Sequence, residues 1–91
     1  MTVIKSLVWD DWNIDHIARH NVNPEEVEWV CSTRNVFAKG KQGTYKVIGQ
    51  TQSGRYLTVI VAPRGRGWFY PVTARDSDKK EKRNVKNKIR T

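Results

Sequence analysis

Between Thr44 and Arg75 the chain reads TYKVIGQTQSGRYLTVIVAPRGRGWFYPVTAR, without a single aspartate or glutamate. Three runs rich in β-branched and aromatic residues, 44–50, 55–63 and 67–74, are separated by Gln52-Ser53-Gly54 and by Arg64-Gly65-Arg66-Gly67. This is the pattern of consecutive strands joined by turns, so the segment is expected to form the central meander of a sheet. Its cations, Lys46, Arg55, Arg64, Arg66 and Arg75, fall at strand ends and turns. A sheet with a basic rim is suited to an anion.

Charge along the rest of the chain sharpens this. Residues 1–31 carry a net −4, residues 32–74 a net +7 and residues 75–91 a net +5, for a total of +8. An acidic first third and a wholly cationic sheet imply two surfaces of opposite sign, and the cationic one favours a polyanion. Ninety-one residues, 37% of them hydrophobic, suffice for one small core. A single domain over 1–91 is expected, its last part, about 76–91, a basic helix or tail. The apolar run from Leu57 to Pro63 is too short to span a bilayer, and the opening residues lack the character of a signal segment. The lone Cys31 excludes an intrachain disulfide and fits a reducing compartment, so a cytoplasmic protein is expected.

Residues 2–9 alternate as a first strand, with Val3, Lys5, Leu7 and Trp9 on one face. Asp10 and Asp11 suit a helix N-terminus, and a helix is expected from Trp12 to His20 with Ile14, Ile17 and Ala18 as its apolar stripe. Asn13, His16 and His20 would then share another face. Asn23, Pro24 and Glu26 spell an N-cap, a first-turn proline and a capping-box partner, starting a second helix that ends near Cys31 or Ser32. A strand at 34–39 and a hairpin loop at Gly40-Lys41-Gln42-Gly43 lead into the meander. Pro71 cannot donate to a ladder, so the last strand should lie at an edge or carry a bulge there. A third helix is expected from Asp78 to Arg90, with only Val85 and Ile89 apolar on one face and hence marginal alone.

Most catalytic chemistries find no support. His16 and His20 have helical metal-pair spacing, but Ile17 stands where an HExxH motif needs glutamate, so no metal and no cofactor are expected. Cys31 falls on a buried helix side, and no serine elbow or phosphate-cradling loop occurs. What remains suits phosphodiester cleavage by a ribose 2′-hydroxyl, which needs an acid or base, cations on the developing phosphate charge and a proton donor. His20, Lys46, Arg55 and Arg75 are of those kinds, and Tyr45, Tyr56, Trp68 and Tyr70 are candidates to stack splayed bases. At least two of the four tryptophans are expected in the core.

The order of short motifs then resembles a known family. Trp9-Asp10, Arg19-His20-Asn21-Val22 and Glu25-Glu26-Val27 are followed by Val47-Ile48-Gly49, by Gly54-Arg55 with Leu57-Thr58-Val59, and by Thr73-Ala74-Arg75. Together these resemble the BrnT-type toxins over nearly the whole chain. The resemblance implies a RelE-like ribonuclease fold, an activity that cuts RNA and arrests translation, and neutralisation by a small ribbon-helix-helix antitoxin whose complex binds operator DNA. It carries over His20, Arg55 and Arg75, with Lys46 at a basic position before Ile-Gly. Asn21 stands for the family's glycine, Arg19 for its lysine, and Thr44 where a cation is common.

The reading is thus an α+β domain, β-α-α-β-β-β-β-α, with two N-terminal helices packed on an antiparallel sheet. Its function would be that of a metal-independent endoribonuclease toxin. His20, Lys46, Arg55 and Arg75 are its catalytic candidates; Lys39, Lys41, Tyr45, Arg64, Arg66 and Trp68 are its RNA-binding candidates. A non-catalytic RNA- or DNA-binding module, or a subunit docking an acidic protein, would use the same cations.

Overall fold

The computed structural model describes residues 4–89. Thr2 and Val3 of the expected first strand, and Arg90 at the end of the expected third helix, lie outside the described residues, as does the Ile89 side chain. The elements run β1 (Ser6–Leu7), α1 (Asp11–Ala18), α2 (Pro24–Ser32), β2 (Asn35–Lys39), β3 (Tyr45–Gln50), β4 (Tyr56–Gly65), β5 (Trp68–Asp76) and α3 (Lys79–Ile89). This is the expected α+β order.

Both N-terminal helices start on reciprocal capping boxes. The Asp10 carboxylate accepts from the Asn13 N–H while the Asn13 side chain accepts from the Asp10 N–H. Asn23 and Glu26 do the same for α2, with Pro24 in its first turn. The link between them turns at Asn21, whose φ of 59° is a left-handed conformation that asparagine tolerates better than most residues.

Five strands form one sheet in the order β1-β5-β4-β3-β2. β2 to β5 are antiparallel neighbours, whereas β1 pairs parallel to β5 through Ser6 with Trp68 and Leu7 with Phe69. The sheet is therefore mixed, not wholly antiparallel as expected. Pro71 sits at a register shift: Ile60 faces Thr73 but Val61 faces Pro71, leaving Val72 as the extra residue. The expected bulge is there, and it lies beyond the short β1 pairing.

α1 packs on β5 and α2 on β3 and β4, while α3 packs on β2 and β3. Alternation along the central strand sends Leu57, Val59 and Val61 into the core beneath α1 and α2, all fully buried. Each such side chain contributes about 1.5–3 kcal/mol by leaving water. Gly49 lets α2 approach closely: a Cβ there would meet Val30 Cγ1 and the Arg34 carbonyl, each at 3.2 Å.

Two expectations about packing fail. The buried residues of α1 are Asn13 and Ile17, whereas Ile14 is 37% exposed and Ala18 is exposed. Asn13 is inward because its Nδ2 donates to the carbonyls of Val8 (2.9 Å) and Pro71 (3.1 Å), tying α1 to β5. The tryptophans are not core residues either: Trp12, Trp29 and Trp68 are exposed, and Trp9 is half-buried against the core. Valines, Ile17, Leu7, Leu57 and Phe69 fill that space instead.

Candidate functional site

The register of the meander decides which cations meet. Lys46 faces Ile60 and Arg75 faces Thr58, so both project from the sheet face opposite α1 and α2, diagonally across β4. Here they converge on Glu81 in the first turn of α3. Arg75 donates from Nη1 to Oε1 (2.8 Å) and from Nη2 to Oε2 (2.9 Å), while Lys46 Nζ donates to Oε2 at 3.0 Å. The Thr58 hydroxyl (2.9 Å) and the Asp78 N–H (2.9 Å) donate to Oε1, and Thr58 also shares a 2.8 Å hydrogen bond with the Ser77 hydroxyl.

Five donors therefore surround one carboxylate that is only 5% exposed. The Arg75 fork, foremost among them, holds the Glu81 carboxyl well below the usual carboxylate range against the opposing effect of burial. The same bond raises Arg75 further above its ordinary value. Lys46 and Arg75 themselves keep 36% and 38% of their side-chain surface exposed. They form a cationic fork at a wet rim, sized for a carboxylate or a phosphate.

A second group occupies the end of the sheet where α1 turns into α2. The Arg55 Nη2 donates to the carbonyl of His20 at 2.9 Å and its Nη1 to the carbonyl of Asn21. Its Nε donates to Asp76 Oδ1 at 2.7 Å, with Glu26 at 3.4 Å. The Asp76 bond raises Arg55 above its ordinary value and lowers Asp76 below its own. Arg55, expected to meet a phosphate, here has its guanidinium engaged by two carbonyls and two carboxylates. Its guanidinium is a strut that satisfies the two carbonyls left open where α1 ends and ties them to the end of β5. His20 is exposed at that turn, 6.1 Å from His16, which in turn stacks on Trp12 at 4.8 Å. Arg55 thereby links the His20 carbonyl to Asp76, the residue next to Arg75.

The remaining candidates divide. Lys39, Lys41, Arg64, Arg66 and Trp68 lie at or beside the β2–β3 and β4–β5 hairpins, which antiparallel pairing brings to one end of the sheet. That end is opposite the one holding His20 and Arg55. All five side chains are exposed, and Arg64 lies 4.5 Å over the Tyr70 ring, whose hydroxyl donates to Asp10. Tyr45 is half-buried, its ring stacked on Phe37 at 5.0 Å and edge-on to Phe69 at 6.2 Å, packed against the core.

Among the described residues no group of three or more His, Cys, Asp or Glu comes together as a metal site. Nor, among the described residues, is any helix long and apolar enough to cross a membrane. Burial pushes the Cys31 thiol up to about 12, which suits a packing residue and not a nucleophile. Sequence reasoning missed Glu81, Thr58 and Ser77. The one available signal was Asp78-Lys79-Lys80-Glu81, a capping-box spacing inside a lysine-rich run.

No protein-family model and no curated protein matches this chain. Among solved structures, it is similar to the crystal structure of the Brucella abortus ribonuclease toxin BrnT, with a TM-score of 0.65 and 19% identity. The match covers 81% of this chain and 97% of that one. The fold is that of a BrnT-type toxin.

Proposed function

We propose that this chain is an endoribonuclease toxin of a type II toxin–antitoxin system, which cuts RNA without metal and so inhibits translation in the cytoplasm. The observation that carries the reading is the fork of Lys46 and Arg75 closing on a single anion position, in a fold shared with a ribonuclease toxin. In this reading Arg75 and Lys46 bind the scissile phosphate and stabilise the charge that develops on it. His20 is the acid or base, exposed and therefore reachable by a ribose hydroxyl or a leaving oxygen. Arg55 is a positioning residue, holding the turn that presents His20.

Lys39, Lys41, Arg64 and Arg66 hold the RNA backbone, and Trp68, 46% exposed, stacks a base. The basic face of α3 serves RNA or antitoxin contact. The expected partner is a small ribbon-helix-helix antitoxin, the complex binding its own operator DNA.

The test is cleavage of a bulk RNA in EDTA by wild type, Arg75→Ala and His20→Ala, with folding checked by circular dichroism. Wild type is expected to cut, and each variant to slow by about 100-fold or more. Folded variants that cut at the wild-type rate would remove both residues from the mechanism. RNA bound with steep salt dependence yet never cut, with or without ribosomes, would make the chain a binding module instead.

A further inference from the structure

The fork of Lys46 and Arg75 already holds an anion, and that anion belongs to the chain itself. Both carboxylate oxygens of Glu81 are engaged, one by Arg75 Nη1, Thr58 and the Asp78 N–H, the other by Arg75 Nη2 and Lys46. Two oxygens bridged by an arginine fork and a lysine reproduce the contacts that two non-bridging oxygens of a phosphate would make. Glu81 and a phosphate cannot both occupy that position.

We infer that α3 is a displaceable lid, Glu81 being an internal stand-in for the phosphate that Lys46, Arg75 and Thr58 bind once the first turn of α3 lifts. This rests on the proposed role of Lys46 and Arg75 as phosphate ligands. The build of α3 suits the task. It has eleven residues, too few for a helix of this composition to be stable by itself. On its described side chains, Val85 is the one apolar anchor, 1% exposed, and Glu81 is the polar one. Lys79, Lys80, Lys82, Arg83, Lys86 and Lys88 face solvent. Without the Glu81 contact, α3 is a cationic segment beside two cations, and an arriving polyanion both replaces Glu81 and attracts the freed helix.

The experiment is a titration with inorganic phosphate at constant ionic strength, followed by NMR at Arg75 Nε and the Thr58 amide, on wild type, Glu81→Gln and Val85→Ala. If the lid is closed about nine-tenths of the time, opening it raises apparent affinity by about tenfold. Both variants should show that gain, Val85→Ala without changing the charge at the fork. In wild type, bound phosphate should speed hydrogen exchange of the α3 amides.

A folded variant that binds phosphate no more tightly than wild type would overturn the lid and make Glu81 a scaffold that orients Arg75. Wild type that takes phosphate at the fork with α3 still protected would do the same, even if both variants misfold. Parallel RNA-cleavage assays separate the two ideas. A gain in phosphate binding without any RNA cut keeps the lid and removes the nuclease, and RNA cutting without the gain does the reverse.

Discussion

Protonating Glu81 would remove the charge that Arg75 and Lys46 share, and the fold displaces the pH at which this happens. The Arg75 bond, outweighing burial, holds the folded carboxyl well below its ordinary 4.5. As pH falls below that value the unfolded chain takes up the proton first, so the stability supplied by the pairing is complete above about pH 4.5 and lost progressively beneath it. Urea denaturation should find Glu81→Gln less stable than wild type by about 1–3 kcal/mol at neutral pH, a modest figure because both cations are partly solvated. The gap should narrow as pH drops below 4.5; a gap constant with pH would assign the loss to packing and not to charge. Residue chemistry singled out His20, Lys46, Arg55 and Arg75 as candidates in the sequence, because only a few side-chain types suit phosphodiester cleavage. It hid Glu81, which sits among lysines and owes its importance to partners 35 (Lys46) and 23 (Thr58) residues away.

For α1 and α2 the caps were legible, and so was the buried side of α2 at Cys31, but the buried face of α1 was not. A capping box is local, four residues that satisfy one another, and the one at Asn23 and Glu26 was read where it occurs, whereas at Asp10 the cap was expected without its Asn13 partner. The buried face of α1 depends on what lies beneath it, and a buried asparagine with two carbonyl partners outweighs the apolar stripe that hydropathy suggests. Asn13→Ala should therefore cost about 1–3 kcal/mol, lowering the melting temperature by about 4–8 °C per kcal/mol. Ile14→Ala, at a 37% exposed position, should stay within about 0.5 kcal/mol. Thermal melts of the two variants check this, and equal losses would mean that α1 packs through Ile14 after all. The bulge at Pro71 was readable because a missing N–H is a property of the residue, while the parallel partner β1 was not, since nothing local specifies its direction.

Across the whole molecule, the exposed cations Lys39, Lys41, Arg64 and Arg66 gather at the hairpin end, while His20 and Arg55 stand at the other and the Lys46–Arg75 fork lies between them on the far face. An RNA that uses the hairpin end and the fork together would pass along that face beside α3. Replacing Lys41 and Arg66 together by alanine should flatten the log–log salt dependence of single-stranded RNA binding by about 1.4, or about 0.7 for each phosphate no longer neutralised. Fluorescence anisotropy with a 2′-O-methyl RNA would measure it; an unchanged slope would take the hairpin end out of the backbone path. The order of elements, their caps and turns, and the sign of each region's charge follow from the sequence by itself, because each depends on residues within a few positions of one another. Which cations share one anion, which aromatic rings face solvent and what closes the fork were decided by strand register and by the docking of α3, because side chains far apart in the chain meet only after the sheet has set their faces.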